Sequence, residues 1–164
     1  MDDNQDLEFR LAEGRDVQAV RELVLAAYSK WVPVIGREPR PMFADYELAV
    51  REHEIALLHA DAVLVGVIEM IGRPDHLWIE NIAVAPQAQG KGYGKTLLRL
   101  AEQLASKRGF PEVRLLTNEA CETNIALYQR IGFAVDRKEP FMGGMTVYMS
   151  KKLQTGPAEE LTHG

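Results

Sequence analysis

The residues whose types and spacing could do chemistry begin with a glycine-rich turn in the middle of the chain. Gly90, Gly92 and Gly94 alternate there, after an apolar segment and before a segment with helical periodicity. Alternating glycines let a backbone expose several N–H groups, and a helix N-terminus adds unpaired donors and the positive end of a dipole. The spacing therefore predicts a loop that binds a phosphate or pyrophosphate group.

Three phosphate-binding patterns compete for this turn. The dinucleotide pattern G-x-G-x-x-G fails, because no glycine stands three residues after either candidate second glycine. The Walker A pattern G-x-x-x-x-G-K-[ST] has its end in Gly94-Lys95-Thr96, but Gln89 stands where its first glycine belongs. The pattern [QR]-x-x-G-x-[GA] fits throughout, because Gln89, Gly92 and Gly94 supply its three defined positions.

Length, charge and cysteine content narrow the class of protein. A chain of 164 residues is long enough for one domain with a sizeable core, and its net charge of −5 argues against a nucleic-acid partner. Cys121 is the only cysteine, so an intrachain disulfide and a zinc site made of thiolates are excluded. The histidines lack metal-ligand spacing, no apolar run approaches a membrane span, and the acidic start is unlike a secretory signal. We expect a cytoplasmic protein that uses no metal and no membrane.

Hydrophobic periodicity predicts strands and helices in the order β-α-α-β-β-β-α-β-α-β-β. Asp16 is expected to cap the first helix, and prolines are expected to keep residues 31–43 irregular. Residues 1–153 are predicted to form one domain, followed by a flexible tail over 154–164. The helices are predicted over 17–28, 45–52, 96–108 and 122–130, and the strands over 7–12, 55–59, 63–71, 77–84, 113–117, 133–137 and 145–153.

The element order and two motifs resemble the GNAT superfamily of N-acetyltransferases over roughly residues 7–153. The first motif is the glycine loop, which looks like the family's coenzyme A signature. The second is the segment 124–133, which is similar to the family's N-x-x-A-x-x-x-Y-x-x-x-G-F region, with Cys121 where an asparagine often stands. The resemblance implies an α/β fold with a central mixed, mostly antiparallel sheet, splayed central strands and flanking helices. It also implies acetyl-CoA as co-substrate.

The resemblance assigns coenzyme A to the glycine loop and to the strand before it. In the family that strand parts from its neighbour, and the pantetheine arm pairs with the freed edge. An asparagine amide also holds the cofactor, a role open to Asn124 or Asn118 in this chain. The expected cofactor-binding residues are Ile82, Ala83, Val84, Gln89, Gly90, Lys91, Gly92, Tyr93, Gly94, Lys95, Thr96 and Asn124.

Two residues are expected to carry the chemistry. A primary amine has a pKa of about 10 and attacks a thioester only after it loses a proton. Glu80, on a strand of apolar neighbours, is the expected base, with His76 and Glu119 as weaker alternatives; the amine can also lose its proton to solvent. The resemblance implies that Tyr128 protonates the departing thiolate.

The resemblance places the acceptor site around Tyr28, Trp31, Arg37, Asp45 and Tyr46. Aromatic rings with an acidic side chain suit a cationic amine, whereas Arg37 and its neighbour Arg40 suit a carboxylate. The sequence supplies both sets and does not choose between them. It also leaves open a homodimer, a non-catalytic module that senses acyl-CoA, and a small nucleotide phosphatase, which Gln89 disfavours.

Overall fold

The computed structural model describes residues 5–154, so the predicted tail lies outside the described residues except for Gln154. Seven strands and five helices follow one another in nearly the predicted order, joined in places by short 3-10 turns. The strands are β1 (Leu7–Leu11), β2 (Glu54–Ala60), β3 (Val63–Gly72), β4 (Leu77–Val84), β5 (Glu112–Asn118), β6 (Ala134–Phe141) and β7 (Gly144–Lys152). The helices are α1 (Val17–Tyr28), α2 (Val32–Ile35), α3 (Tyr46–Glu52), α4 (Tyr93–Lys107) and α5 (Glu122–Ile131).

The strands form one mixed sheet in the order β1-β2-β3-β4-β5-β7-β6. Antiparallel pairing joins β1 to β2, β2 to β3, β5 to β7 and β6 to β7. Strands β4 and β5 pair in parallel and meet at Leu77↔Val113 and Trp78↔Arg114. The predicted mixed, mostly antiparallel sheet is therefore confirmed.

The chain forms two compact units, each with a buried apolar core. The first contains the described residues up to Ile71 together with Glu80–Leu98, and the second contains Gly72–Ile79 and the described residues from Arg99 onwards. In the first unit, Val24 of α1, Leu58 of β2 and Ile68 of β3 are completely buried. In the second, completely buried apolar side chains come from β4, α4, β5 and β7: Leu77, Ala101, Ala105, Val113 and Val147.

Strand β4 alternates between two environments along its length. Leu77, Ile79, Asn81 and Ala83 are buried, whereas Trp78, Glu80, Ile82 and Val84 are half-buried. This period of two is that of a strand whose faces differ in solvent access. Ile82 and Val84 belong to the strand that is expected to bind the cofactor. Their side chains are therefore partly accessible, unlike those of a strand enclosed on both faces.

Three local predictions need correction. The helix after the glycine loop begins at Tyr93 rather than Thr96, because the tyrosine ring is buried and its hydroxyl donates to Gln5 Oε1 (2.7 Å). Residues 31–43 contain the one-turn helix α2, with Pro33 in its first turn, where no N–H donor is needed. Asp16 precedes α1 but makes no side-chain cap.

Asp16 instead binds the preceding strand. Both of its carboxylate oxygens accept from the guanidinium of Arg10 in β1 (2.7 and 2.9 Å), and one also accepts from the backbone N–H of Glu13 (2.8 Å). The hydrogen bonds from Arg10 lower the pKa of Asp16 to about 2. Charge pairing with a strand has therefore replaced helix capping at this position.

No helix within residues 5–154 is both long enough and apolar enough to cross a membrane.

Candidate active site

The glycine loop adopts the backbone conformation that its sequence predicts. Gly90 and Gly92 have φ angles of +83° and +89°, which side chains with a Cβ rarely adopt. Helix α4 follows at once, and its first α-helical hydrogen bond runs from the Thr96 N–H to the Gly92 carbonyl (3.1 Å). The N–H groups of residues 93–95 come before that bond, so the helix offers them as donors for an anion.

Gln89 braces this loop with its side-chain amide. The amide nitrogen donates to the carbonyl of Val84 at the end of β4 (3.0 Å), and the amide oxygen accepts from Lys30 Nζ (2.7 Å). The same ammonium group lies 5.1 Å from the ring centre of Trp31. Gln89 thus links the loop to the end of β4 and to the turn after α1. Lys30 is a residue that the motif search missed, because it is 59 positions away in sequence.

Tyr128 and Asn124 lie on α5, one turn apart. Tyr128 is buried, with 6% of its surface exposed, and its ring packs against Phe133. Burial raises the pKa of the Tyr128 hydroxyl well above its ordinary value, and the nearby thiol of Cys121 raises it further. The hydroxyl is therefore protonated at neutral pH and can donate a proton. Asn124 is half-buried, whereas the side-chain oxygen of Asn118 accepts from the Ala120 N–H (2.8 Å).

The three carboxylate and imidazole candidates for the base have different surroundings. Glu119 is 2.6 Å from Lys138 Nζ in an ion pair on the protein surface. The His76 Nδ1 is 2.8 Å from the Asp75 carboxylate, and its ring meets Trp78 edge to face. Burial raises the pKa values of both Glu69 and Tyr46, and the charge of Glu80, which is half-buried on β4, raises them further. Glu80 therefore lies among other polar groups rather than in a purely apolar setting.

The residues predicted to surround the acceptor have distinct surroundings. Asp45 caps α3, where its carboxylate accepts from the Leu48 N–H (3.1 Å). Tyr46 is 2% exposed and donates its hydroxyl proton to the Pro41 carbonyl (2.7 Å). Trp31 and Arg37 are half-buried. Since Asp45 and Tyr46 have clear structural contacts, neither depends on a ligand to explain its residue type.

Tyr28 touches β4 directly. Its hydroxyl lies 2.9 Å from Asn81 Oδ1 and 3.1 Å from the carbonyl oxygen of Ile82. Tyr28 is the last residue of α1, and its side chain is half-buried. Its hydroxyl therefore contacts a backbone carbonyl of the strand that is predicted to hold the cofactor.

Asn81 is the centre of a buried polar network that sequence reasoning missed. It is 4% exposed, its Nδ2 donates to the hydroxyl of Tyr46 (3.1 Å), and it also hydrogen-bonds the carboxylate of Glu69. Glu69 is equally buried and lies 2.6 Å from Nδ1 of His53. Desolvation raises the pKa of Glu69, and the hydrogen bond with His53 opposes that rise. The members lie far apart in sequence, so no local pattern could reveal them.

Among residues 5–154, no three His, Cys, Asp or Glu side chains converge in a way that could hold a metal ion.

Comparison with known proteins gives the family. Residues 17–133 match the model of the acetyltransferase (GNAT) family, which covers more than half of the chain. The chain therefore belongs to this family. The described fold agrees, since a mixed seven-stranded sheet with the parallel β4–β5 pair and flanking helices is the GNAT fold.

Two relatives of similar sequence are named for different acceptors. A spermidine N(1)-acetyltransferase from Thermoplasma acidophilum is 29% identical over 96 residues, which is 58% of this chain and 57% of that protein. A streptothricin acetyltransferase from Streptomyces lavendulae is 41% identical over 58 residues, covering 35% of this chain and 31% of the relative. The chain thus matches about a third to just over half of the length of these curated relatives.

Solved structures match nearly the whole chain. The PaiA N-acetyltransferase of Thermoplasma acidophilum, in complex with coenzyme A, has a TM-score of 0.76 at 21% identity and covers 90% of this chain and 99% of that one. The ribosomal-protein-S18-alanine N-acetyltransferase of Escherichia coli has a TM-score of 0.74 at 19% identity, with 91% and 95% covered. At these identities the likeness establishes the fold.

Proposed function

We propose that this protein transfers the acetyl group of acetyl-CoA directly to a primary amine of a small molecule, an amino acid or a peptide. The observation that carries the proposal is the glycine loop, in which Gly90 and Gly92 have positive φ angles immediately before the N-terminus of α4. Such a loop suits the pyrophosphate of coenzyme A. Family membership and the fold shared with a coenzyme A complex support it.

The proposed cofactor site combines the loop with the end of β4. The N–H groups of Tyr93, Gly94 and Lys95 and the ammonium groups of Lys91 and Lys95 would hold the phosphates. The backbone of Ile82–Val84 would hold the pantetheine arm, because the register between β4 and β5 is limited to Leu77 and Trp78. Gln89 braces the loop against the carbonyl of Val84. Asn124 is the proposed amide contact from α5.

The proposed chemistry uses one proton acceptor and one proton donor. Acetyl-CoA supplies a thioester whose carbonyl carbon is attacked by the amine. Glu80 accepts the proton that the amine must lose, directly or through a water molecule. Tyr128, which burial keeps protonated, donates to the departing sulfur. Direct transfer is favoured over a covalent enzyme intermediate, because the buried Cys121 has no base beside it in sequence. The proposed compartment is the cytoplasm.

Two measurements test the proposal. Acetyl-CoA should raise the melting temperature, because a ligand that binds the native state stabilises it, whereas NAD and ATP with magnesium should not. Acetyl-CoA cleavage should then be followed with a panel of primary amines. The panel includes 1,4-diaminobutane, spermidine, lysine, streptothricin and a peptide with an N-terminal alanine. Stabilisation by ATP with no shift by coenzyme A would refute the cofactor. Stabilisation by acetyl-CoA without turnover of any amine would instead indicate an acyl-CoA-sensing module.

A further inference from the structure

The direction of the hydrogen bonds around Tyr28 can be established without seeing hydrogen atoms. The carbonyl oxygen of Ile82, 3.1 Å from the Tyr28 hydroxyl, can only accept a hydrogen bond. The second neighbour, Asn81 Oδ1 at 2.9 Å, is also an acceptor if the amide is oriented correctly. The orientation of Asn81 therefore decides whether both neighbours draw on the single proton of Tyr28.

The contact between Asn81 and Tyr46 fixes the Asn81 amide. Tyr46 donates its own proton to the Pro41 carbonyl (2.7 Å), so towards Asn81 its oxygen acts as the acceptor, at 3.1 Å. This contact requires the NH2 group of Asn81 on the side of Tyr46. The amide oxygen must then face Tyr28.

The hydroxyl of Tyr28 consequently has one proton and two β4 acceptors for it. Towards any third group the hydroxyl acts as a hydrogen-bond acceptor, and a ligand that meets it must bring an N–H or O–H donor. An amino group meets this requirement and a carboxylate does not. Because Ile82 is part of the proposed pantetheine strand, the hydroxyl lies beside the strand that carries the proposed thioester.

We propose that Tyr28 accepts a hydrogen bond from the amino group of the acceptor, and that Asn81 is a positioning residue that keeps the hydroxyl turned for this contact. The inference rests on the proposed function and adds to it the chemical class recognised at this position, an N–H donor. A primary amine that donates one N–H to Tyr28 keeps its lone pair for the thioester.

The test measures steady-state kinetics with spermidine as the probe amine. If another amine of the panel has a higher kcat/KM than spermidine, that amine is used instead. Tyr28→Phe should raise the KM for the amine about three- to tenfold, the range expected for one ordinary hydrogen bond. The kcat should change little, because the contact is present in both the bound and the reacting state. Asn81→Leu should raise the KM by a smaller factor, since the Ile82 carbonyl still holds the hydroxyl.

The double variant separates positioning from a general structural role. If Asn81 acts through Tyr28, the double variant Tyr28→Phe with Asn81→Leu should have the KM of Tyr28→Phe alone. If the increases in KM caused by the two single substitutions instead multiply in the double variant, Asn81 does not act through Tyr28. Tyr148→Phe is the matched control: it removes the hydroxyl of a tyrosine outside this network, whose ring centre lies 3.8 Å from the Arg137 guanidinium. Its KM should be unchanged, and a rise equal to that of Tyr28→Phe would mean that the effect does not depend on the contact between Tyr28 and the amine.

A second readout does not depend on Asn81→Leu remaining folded. The N,N,N-trimethyl analogue of the probe amine has the same charge and no N–H donor at that nitrogen. Wild type should bind the amine more tightly than the analogue, measured as competitive inhibition, and Tyr28→Phe should reduce that preference about three- to tenfold. An undiminished preference would refute the inference. Absence of turnover in wild type would refute the proposed function instead.

Discussion

At the scale of single residues, burial determines which protons the site can exchange. Tyr128 is a weaker acid than an exposed tyrosine, because its charged form would have to be desolvated on α5. It therefore remains a proton source at every pH at which the protein is expected to work. The sulfur that it would protonate has a pKa of about 8.5 by analogy with cysteine, so it is already a fair leaving group.

Tyr128→Phe should lower kcat by roughly one to three orders of magnitude, the range for loss of a general acid, with little change in acetyl-CoA affinity. The modest basicity of the sulfur places the expected effect towards the lower end. Steady-state kinetics under conditions where chemistry limits the rate would measure it. Tyr148→Phe is the matched control: its ring lies 3.8 Å from the Arg137 guanidinium on the outer strands. An unaltered kcat in Tyr128→Phe would remove this tyrosine from the mechanism.

Glu80→Gln keeps the shape of the side chain but cannot accept a proton. In wild type, kcat/KM should rise with pH through a midpoint below that of the free amine. In the variant, kcat/KM should rise only as the free amine deprotonates, at about pH 10 for an alkyl amine. The difference in kcat/KM between wild type and Glu80→Gln should therefore shrink at high pH. The full pH profiles of both proteins give the comparison. A deficit of the same factor at every pH would make Glu80 a positioning residue, and no deficit would direct attention to His76.

At the scale of elements, the junction between β4 and α4 is where sequence and structure agree best. The glycine spacing predicted a strand, a tight turn and a helix, and these three elements are present in that order. Local rules sufficed because Gly90 and Gly92 each act through their own positive φ angle, whereas Gly94 belongs to helix α4. The start of α4 was misplaced because burial of the Tyr93 side chain is a tertiary effect.

The polar network could not be predicted, for a related reason. Tyr28 lies 53 positions from Asn81, and Tyr46 lies 35 positions from it. Neither helical nor strand periodicity relates residues at such separations, and an asparagine among apolar strand residues has no partner that the sequence identifies. The family resemblance placed both tyrosines near the acceptor. It gave no account of which hydroxyl contacts the Pro41 carbonyl and which contacts the Ile82 carbonyl of β4.

The loop prediction can be tested with two glycines of similar conformation. Gly92 and Gly109 have φ angles of +89° and +82°, and no protein atom lies within 4 Å of a Cβ built on either. Alanine at either position should therefore impose a similar backbone strain, costing about 1 kcal/mol of unfolding free energy. Gly92→Ala should also abolish or strongly reduce the stabilisation by acetyl-CoA, whereas Gly109→Ala, at the end of α4, should retain it. Equal acetyl-CoA shifts in both variants would exclude the loop as the phosphate site.

At the scale of the whole molecule, each of the two compact units carries its own set of expected site residues. The glycine loop, Glu80 and the Tyr28–Asn81 network belong to the first unit, and Tyr128 with Asn124 belongs to the second. Each unit has its own buried core. The buried core that supports the site residues of the first unit therefore consists of different side chains from the core that supports those of the second unit.

The rate at which a thiol reagent labels Cys121 can report on the opening of the second unit. It is the only thiol in the sequence, it is 4% exposed, and it stands at the start of the helix that carries Asn124 and Tyr128. A thiol reagent can modify it only when that helix start opens, so the labelling rate in native buffer measures how often this opening occurs. Acetyl-CoA at 100 times its Kd should slow labelling about 100-fold if the opened form cannot bind it. Gly92→Ala should lose this protection, whereas slowing in both proteins would mean that the cofactor is held elsewhere.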